Sequence, residues 1–152
     1  GDTVGIRPGA YDEYDDPFDI VEVRVTSLAI VGLGSAAEDV RARLSLSFGE
    51  GGPFVVSKIA FHDVYTAIWG AAWSTVVIQD CSFADNSTWI GSGRMGGALH
   101  FGSHQELTVE DCAFLRNRSA GEGGEGGAIS LAGMRTTIRR CRFEENEATN
   151  RV

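Results

Sequence analysis

The stretch "VVIQDCSFADN" (residues 76–86) decides the fold, because it returns twice in the chain. Its counterparts are "LTVEDCAFLRN" (107–117) and "TTIRRCRFEEN" (136–146), and all three end in the unit C-x-F-x-x-N. The cysteines of successive units are 31 and 29 residues apart. A fixed period of about 30 residues predicts a solenoid, in which each unit buries its apolar face against its neighbours.

The apolar periodicity indicates strands. In "VRARLSLSF" (40–48) apolar and polar residues alternate over nine positions, which predicts one half-buried strand. A helix capping box at Ser35 and Glu38 precedes this stretch. The longer alternation outweighs it, and we expect a strand.

Two further features give the number of strands in each coil. Within each unit the apolar parity switches at a dipeptide, Gln79-Asp80, Glu110-Asp111 or Arg139-Arg140, so each unit holds two short strands joined at a corner. A third strand is predicted at "GGALHF" (96–101) and "GGAISL" (126–131).

These patterns predict an all-β fold, a right-handed parallel β-helix of about four to five coils with three short strands per coil. We expect a single domain over residues 1–152, with the N-terminal coils in 1–50 and the regular repeats in 51–152. Since the chain begins at Gly1 without an initiator Met or a signal-peptide pattern, we expect it to be a mature or excised segment, part of a longer chain.

Identical residues of a parallel β-helix fall into columns, because strands one period apart stack about 4.8 Å apart. The repeat predicts an interior aromatic column and a neighbouring column of buried thiols. Stacked cysteines point in parallel, which disfavours a disulfide, and a column does not converge on a metal. The two columns are Phe83, Phe114, Phe143 and Cys81, Cys112, Cys141.

The third column consists of Asn86, Asn117 and Asn146, each at the end of a strand. An Asn amide there can bond the turn backbone and the next Asn of the column. Two of these residues also begin glycosylation sequons, "NST" and "NRS". The third is followed by "EA", so a ladder accounts for all three positions and glycosylation for two. The ladder is the favoured interpretation, and glycosylation stays open.

The charge of the chain bears on its partners. Twenty-one acidic and thirteen basic residues give a net charge of -8, which argues against nucleic acid or anionic lipid as a partner. No apolar run approaches the roughly 18 residues of a membrane helix, so we expect no membrane insertion. The acidic patch "DEYDD" (12–16) is interpreted as a solvated loop.

Stacking also predicts charge pairs between coils. Glu110 would lie over Arg139, and Asp111 over Arg140, as exposed pairs that fix the register. Asp80 over Asp111 is a pair of like charges. These two aspartates are the candidate calcium ligands, and no other cofactor is expected.

The motifs carry a family resemblance. "IRPGAYDE" (6–13) and "VTSLAIVGLGS" (25–35) resemble the opening coils of right-handed β-helices in the pectin-lyase-like superfamily. The repeats over residues 65–146 resemble those of chlamydial polymorphic outer membrane proteins. The resemblance implies an extracellular or cell-surface location and a role in adhesion or as a scaffold.

The superfamily also contains polysaccharide lyases and hydrolases, which need clustered carboxylates and a positioned base. Apart from the two aspartates, the candidate groups here are not in phase with one another, and no catalytic residue is assigned. They are Lys58, His62, Asp63, His100, His104 and the Arg139-Arg140 pair. A polysaccharide lyase or hydrolase is therefore the alternative function.

The leading hypothesis is a non-catalytic surface or assembly module that binds protein or carbohydrate. Trp89, in the loop "STWIGSGRM" (87–95), is the candidate ligand-binding residue, since an exposed indole stacks on a sugar ring; burial over the coil is the open alternative. "FEENEATNRV" (143–152) completes a unit without a following "GGA" strand. We expect an uncapped coil there, covered by a continuation of the solenoid or by a protein partner.

Overall fold

The computed structural model describes residues 2–11, 20–23, 27–43, 45–70, 73–88, 96–102, 106–120, 126–132 and 135–149. These ranges contain twenty strands and one turn of 3-10 helix, Ala37–Asp39. The strands are β1 (Asp2–Ile6), β2 (Gly9–Tyr11), β3 (Ile20–Val23), β4 (Leu28–Gly32), β5 (Val40–Ala42), β6 (Ser45–Phe48), β7 (Gly51–Ser57), β8 (Ala60–His62), β9 (Ile68–Gly70), β10 (Ser74–Gln79), β11 (Ser82–Ala84), β12 (Ser87–Thr88), β13 (Leu99–Phe101), β14 (Glu106–Glu110), β15 (Ala113–Leu115), β16 (Arg118–Ala120), β17 (Ile129–Leu131), β18 (Arg135–Arg139), β19 (Arg142–Glu144) and β20 (Glu147–Thr149).

All strand pairs are parallel and join strands from successive coils. The first sheet has the order β1-β4-β7-β10-β14-β18 and the second β2-β5-β8-β11-β15-β19. The third runs β3-β6-β9-β13-β17 and the fourth β12-β16-β20. Neighbouring strands are one turn apart, so the five strands of the third sheet correspond to about four complete turns. The predicted all-β solenoid of stacked parallel coils is confirmed.

The fourth sheet refines the prediction of three strands per coil. Its strands follow the Asn of each C-x-F-x-x-N unit directly, where polar sequence was interpreted as loop. Thr88 and Ser119 point inward from this sheet and are almost fully buried. The Thr88 hydroxyl donates to the Ser119 hydroxyl of the next coil, 3.4 Å away. Small hydroxyl side chains that bond one another therefore fill the interior here.

The prediction of one strand over residues 40–48 is wrong. β5 belongs to the second sheet and β6 to the third, so the chain turns a corner between them. Ser45 and Ser47 of β6 are buried together with Leu46 and Phe48. The alternation continued across the corner and concealed it.

A short turn of 3-10 helix precedes β5, where the capping box was set aside. Asp39 caps it, instead of Glu38. Its Oδ2 accepts hydrogen bonds from the Ser35 N–H at 2.6 Å, the Ser35 hydroxyl at 2.8 Å and the Ala36 N–H at 3.0 Å. These bonds stabilise the carboxylate and lower the pKa of Asp39.

The predicted corners are confirmed by the backbone. Asp80, Asp111 and Arg140 have φ values of 52°, 52° and 53°, in the left-handed region. Lys58, with φ 56°, holds the same position one coil earlier. A second left-handed corner precedes each Asn of the repeat and, in the coil of Phe61, Val64. Its residues are Asp63, Asp85, Arg116 and Glu145.

The core lies inside the coils and consists of rows of side chains in register. One row of the first sheet contains Val56, Ile78 and Val109, all fully buried. The same row ends at Ile138, which is 41% exposed. The interior is thus filled along the axis, and the last coil covers it without being covered itself.

Candidate functional site: the stacked columns and the last coil

The aromatic column contains one ring more than the sequence predicted. Phe61, Phe83, Phe114 and Phe143 stack with centroid distances of 5.3, 4.9 and 4.8 Å and ring planes within 7° of parallel. Phe61 was missed because the coil that contains it is shorter. Hydrogen bonds between equivalent positions of successive coils join residues 22 apart at this coil, and 31 or 29 apart at the next two. Its signal was the matching "AFHD" and "SFAD" phrases.

The three cysteines are free thiols in neighbouring coils. The Sγ atoms of Cys81, Cys112 and Cys141 donate to backbone carbonyls two residues earlier, at 3.3, 3.1 and 3.3 Å. Burial raises the pKa of the Cys81 and Cys141 thiols. Cys81 and Cys112 are buried as predicted, whereas Cys141 of the last coil is only half-buried. The three thiols satisfy backbone carbonyls at the first corner.

The asparagines form a hydrogen-bonded ladder. The side-chain Nδ2 of Asn86 donates to Oδ1 of Asn117, and Nδ2 of Asn117 to Oδ1 of Asn146, both at 2.9 Å. Each acceptor oxygen also receives the backbone N–H of the preceding Asn. Every Nδ2 donates as well to the carbonyl of a column phenylalanine in the coil before it. The ladder therefore has a direction, with donors facing the C-terminal end.

The ladder bears on the two sequons. The Asn86 and Asn117 side chains are 0% exposed, and each Nδ2 makes two hydrogen bonds. A glycan on Nδ2 would have no space in the folded chain and would break the ladder.

The first corner carries a column of charges. Arg140 forms a two-bond fork with Asp111 at 2.7 and 2.8 Å and reaches Glu110 at 3.1 Å. Arg139 pairs with Glu110 as well. The fork lowers the pKa of Asp111 and raises that of Arg140.

These contacts bear on the calcium candidates. Arg140 engages both Asp111 oxygens, so calcium would have to displace a guanidinium. In the part of the chain that the structure describes, no group of three His, Cys, Asp or Glu side chains has the arrangement of a metal site. Asp80 and Asp111 instead line an open groove of about 560 Å³ together with Lys58 and Arg140.

A second ion pair was missed by the sequence analysis. Arg116 forms a fork with Asp85 of the coil before it, at 2.8 and 2.7 Å. This pair lowers the pKa of Asp85 and raises that of Arg116. The signal was available, since the two residues are 31 apart, in step with the repeat.

The structure brings Lys58 and Arg140 to the same corner as Asp80 and Asp111, so the expectation that these candidate groups are out of phase is wrong. The other candidate groups lie elsewhere. His62 contacts Asp63 at the second corner, with 3.0 Å between Nδ1 and Oδ2. The register sets His100 between Trp69 and Ser130 in the third sheet. His104, Trp89 and the acidic patch at 12–16 lie outside the described residues, so the ligand-binding prediction at Trp89 stays a prediction.

The last coil is an open apolar edge. Phe143 is 47% exposed and ends the aromatic column. A cavity of about 670 Å³ opens beside it, lined by Ile129, Leu131 and Ile138 among others. Apolar side chains that fill the core in other coils are thus uncovered here.

Three backbone N–H groups of this coil also point outward. In the previous coil, the N–H groups of Asp111 and Arg116 donate to carbonyls of the last coil, and that of Asn117 to the Asn146 side chain. The corresponding N–H groups of the last coil have no acceptor among the described residues. They belong to Arg140, Glu145 and Asn146.

Comparison with known protein families, curated proteins and solved structures finds no match for this sequence. The likeness to pectin-lyase-like proteins therefore rests on the two N-terminal phrases alone, and the likeness to chlamydial repeat proteins rests on the repeat motif alone. Among the described residues, no helix has the length and apolar character needed to cross a membrane.

Proposed function

We propose that this chain is a non-catalytic β-solenoid module of a surface or assembly protein, and that its last coil accepts a further coil. The observation that carries the proposal is the uncovered end of the aromatic column. Phe143 and Ile138 are each about half exposed, so covering them contributes roughly 1 kcal/mol apiece. Large apolar side chains grouped at one edge are typical of an interaction surface.

Hydrogen bonding favours a β-coil as the cover. Arg140, Glu145 and Asn146 present a row of N–H groups that have no acceptor within the described ranges, and such a row is a template for another strand. A globular partner could cover the apolar side chains without satisfying these donors. A coil in register meets both needs.

The proposed location is extracellular or on the cell surface, supported by the resemblance of the C-x-F-x-x-N repeat to surface proteins. In this setting the long sides of the solenoid would present binding groups. Carbohydrate binding at Trp89 is tested on a glycan array, where Trp89→Ala should abolish the signal. Calcium-dependent release of unsaturated sugars, lost in Asp111→Ala, would instead establish the lyase alternative.

A one-coil extension tests the proposal directly. A copy of residues 93–120 is joined after Val152, so that Gly96 of the copy follows Asn146 by the same ten residues that separate Asn86 from Gly96. The extended chain should melt at a higher temperature than the parent chain. Its Arg140, Glu145 and Asn146 amides should exchange hydrogen more slowly.

The control introduces Phe143→Asp into both the extended and the parent chain. A buried, unpaired carboxylate at the end of the aromatic column should remove the gain in melting temperature. If the extended chain melts no higher than the parent and its edge amides are unprotected, the last coil does not accept a coil and the proposal fails.

A further inference from the structure

We infer that the last coil selects its partner: the coil that covers it carries acidic residues before its central aromatic residue, basic residues after it, and a side-chain acceptor at the Asn position. This inference rests on the proposed function and specifies the chemistry of the occupant. Two independent features of the last coil carry it, the direction of the Asn ladder and the order of the charges.

The direction of the ladder sets the acceptor. The Asn117 backbone N–H and Nδ2 both donate to Oδ1 of Asn146, at 3.0 and 2.9 Å. Asn146 uses Nδ2 to reach the Phe114 carbonyl at 2.8 Å, and its backbone N–H and second amide hydrogen face the open end. A covering coil with an apolar residue here would bury two donors without partners. Asn or Asp at this position accepts both.

At the other end the ladder makes no such demand. Val64 occupies the Asn position of the short coil, and its backbone N–H donates to Oδ1 of Asn86 at 3.3 Å. Any residue except proline can supply that donor. Selectivity is therefore confined to the C-terminal end of the column.

The charges of the last coil are sorted along the chain. Every charged residue of β18, its corner and the start of β19 is an arginine, and every charged residue from Phe143 to Thr149 is a glutamate. These residues are Arg135, Arg139, Arg140, Arg142, Glu144, Glu145 and Glu147.

The coil beneath has the opposite order, and it pairs accordingly. Glu106 lies 3.6 Å from Arg135, and Asp111 lies 2.7 Å from Arg140. After the aromatic residue the signs reverse, with Arg118 3.7 Å from Glu147. A covering coil with the charge order of residues 106–120 would pair with the last coil from its other side.

A second copy of this chain does not meet these requirements. In the register of the second sheet, Tyr11 of the first coil occupies the aromatic position. In the first sheet, the same register sets Gly5 of the first coil at the position of Arg139, and Ile6 follows it. Head-to-tail stacking of a second copy would thus bring no acidic residue to Arg139 and Arg140. The occupant is therefore polypeptide of a different coil sequence.

The experiment compares three versions of the extended chain that differ only in the added copy. The first carries the copy of residues 93–120 unchanged. The second carries Asn117→Leu in the copy, and the third carries Glu110→Arg with Asp111→Arg in the copy. The parent residues are untouched, and protection of the parent Asn117 amide shows that the 152-residue part is folded in each version.

We expect the unchanged copy to slow exchange of the Asn146 amide by at least about tenfold relative to the leucine version. The charge-reversed copy should melt at a lower temperature than the unchanged copy, with the difference shrinking at high salt.

Equal protection and equal melting temperatures in all three versions would overturn the inference, while the proposed function would stand. Absence of any gain, even with the unchanged copy, would overturn the proposed function itself. If the parent chain alone forms concentration-dependent assemblies that Phe143→Asp abolishes, a second copy is the occupant and the inference is wrong.

Discussion

Replacing Asn117 by leucine should destabilise the protein by about 3 to 6 kcal/mol. The side chain is fully buried and makes four hydrogen bonds, two as a donor from Nδ2 and two as an acceptor at Oδ1. A buried hydrogen bond contributes about 1 kcal/mol, and a partner left unsatisfied costs about 1 to 3 kcal/mol. Leucine has a similar volume but cannot form hydrogen bonds. It therefore leaves the Phe83 carbonyl without its donor and the two Asn86 donors without their acceptor.

Urea unfolding, followed by far-ultraviolet circular dichroism, measures this loss. Asn146→Leu is the matched control, because the side chain has the same place in the repeat but lies in the uncovered last coil. The hydrogen bonds of Asn146 are only partly buried, so the loss should be about half as large. If Asn117→Leu costs less than about 1 kcal/mol, or no more than Asn146→Leu, the ladder does not stabilise the fold as argued.

Three further predictions concern ionisation and modification. Arg116 lowers the folded-state pKa of Asp85 below the unfolded value of about 3.9. The ion pair therefore contributes its full stabilisation of the folded state above that pH. This stabilisation should disappear as the pH falls through the folded-state pKa of Asp85. In Asp85→Asn, the urea midpoint should therefore fall less between neutral and acid pH. Burial raises the pKa of Cys81, so stability should decline as the pH rises above the unfolded thiol value of about 8.5, and less so in Cys81→Ala. When the folded protein is secreted from a glycosylating host, mass spectrometry should find Asn86 and Asn117 without glycans, and an occupied sequon in native protein would show that these side chains are accessible.

The regular repeats could be predicted from the sequence because period and columns are directly visible there. Phe83, Phe114 and Phe143 recur at almost constant spacing, and a parallel stack is the arrangement that places them in contact. The corners followed from the switch in parity, as at Asp111. The same reasoning located the pairs of Arg140 and its neighbour with the acids of the previous coil.

The remainder could not be predicted because the sequence signal was weak or misleading. The coil of Phe61 has 22 residues between hydrogen-bonded partners, and Ile59 and Val64 replace the expected Cys and Asn. The alternation over residues 40–48 carries no mark of the corner within it. The polarity of the ladder depends on which amide atom faces which coil, and that is fixed only by the three-dimensional contacts.

The central claim is that the last coil is an open edge for another coil, and amide hydrogen exchange by NMR tests it most directly. The extended chain is compared with the parent at three edge amides, those of Arg140, Glu145 and Asn146. The Arg142 and Glu147 amides serve as internal controls, since they already donate to the Cys112 and Asn117 carbonyls at 2.9 Å. The account predicts exchange slowed by at least about tenfold at the three edge amides and little change at the two controls. Unchanged exchange at the edge amides, in an extended chain that is otherwise folded, would contradict it.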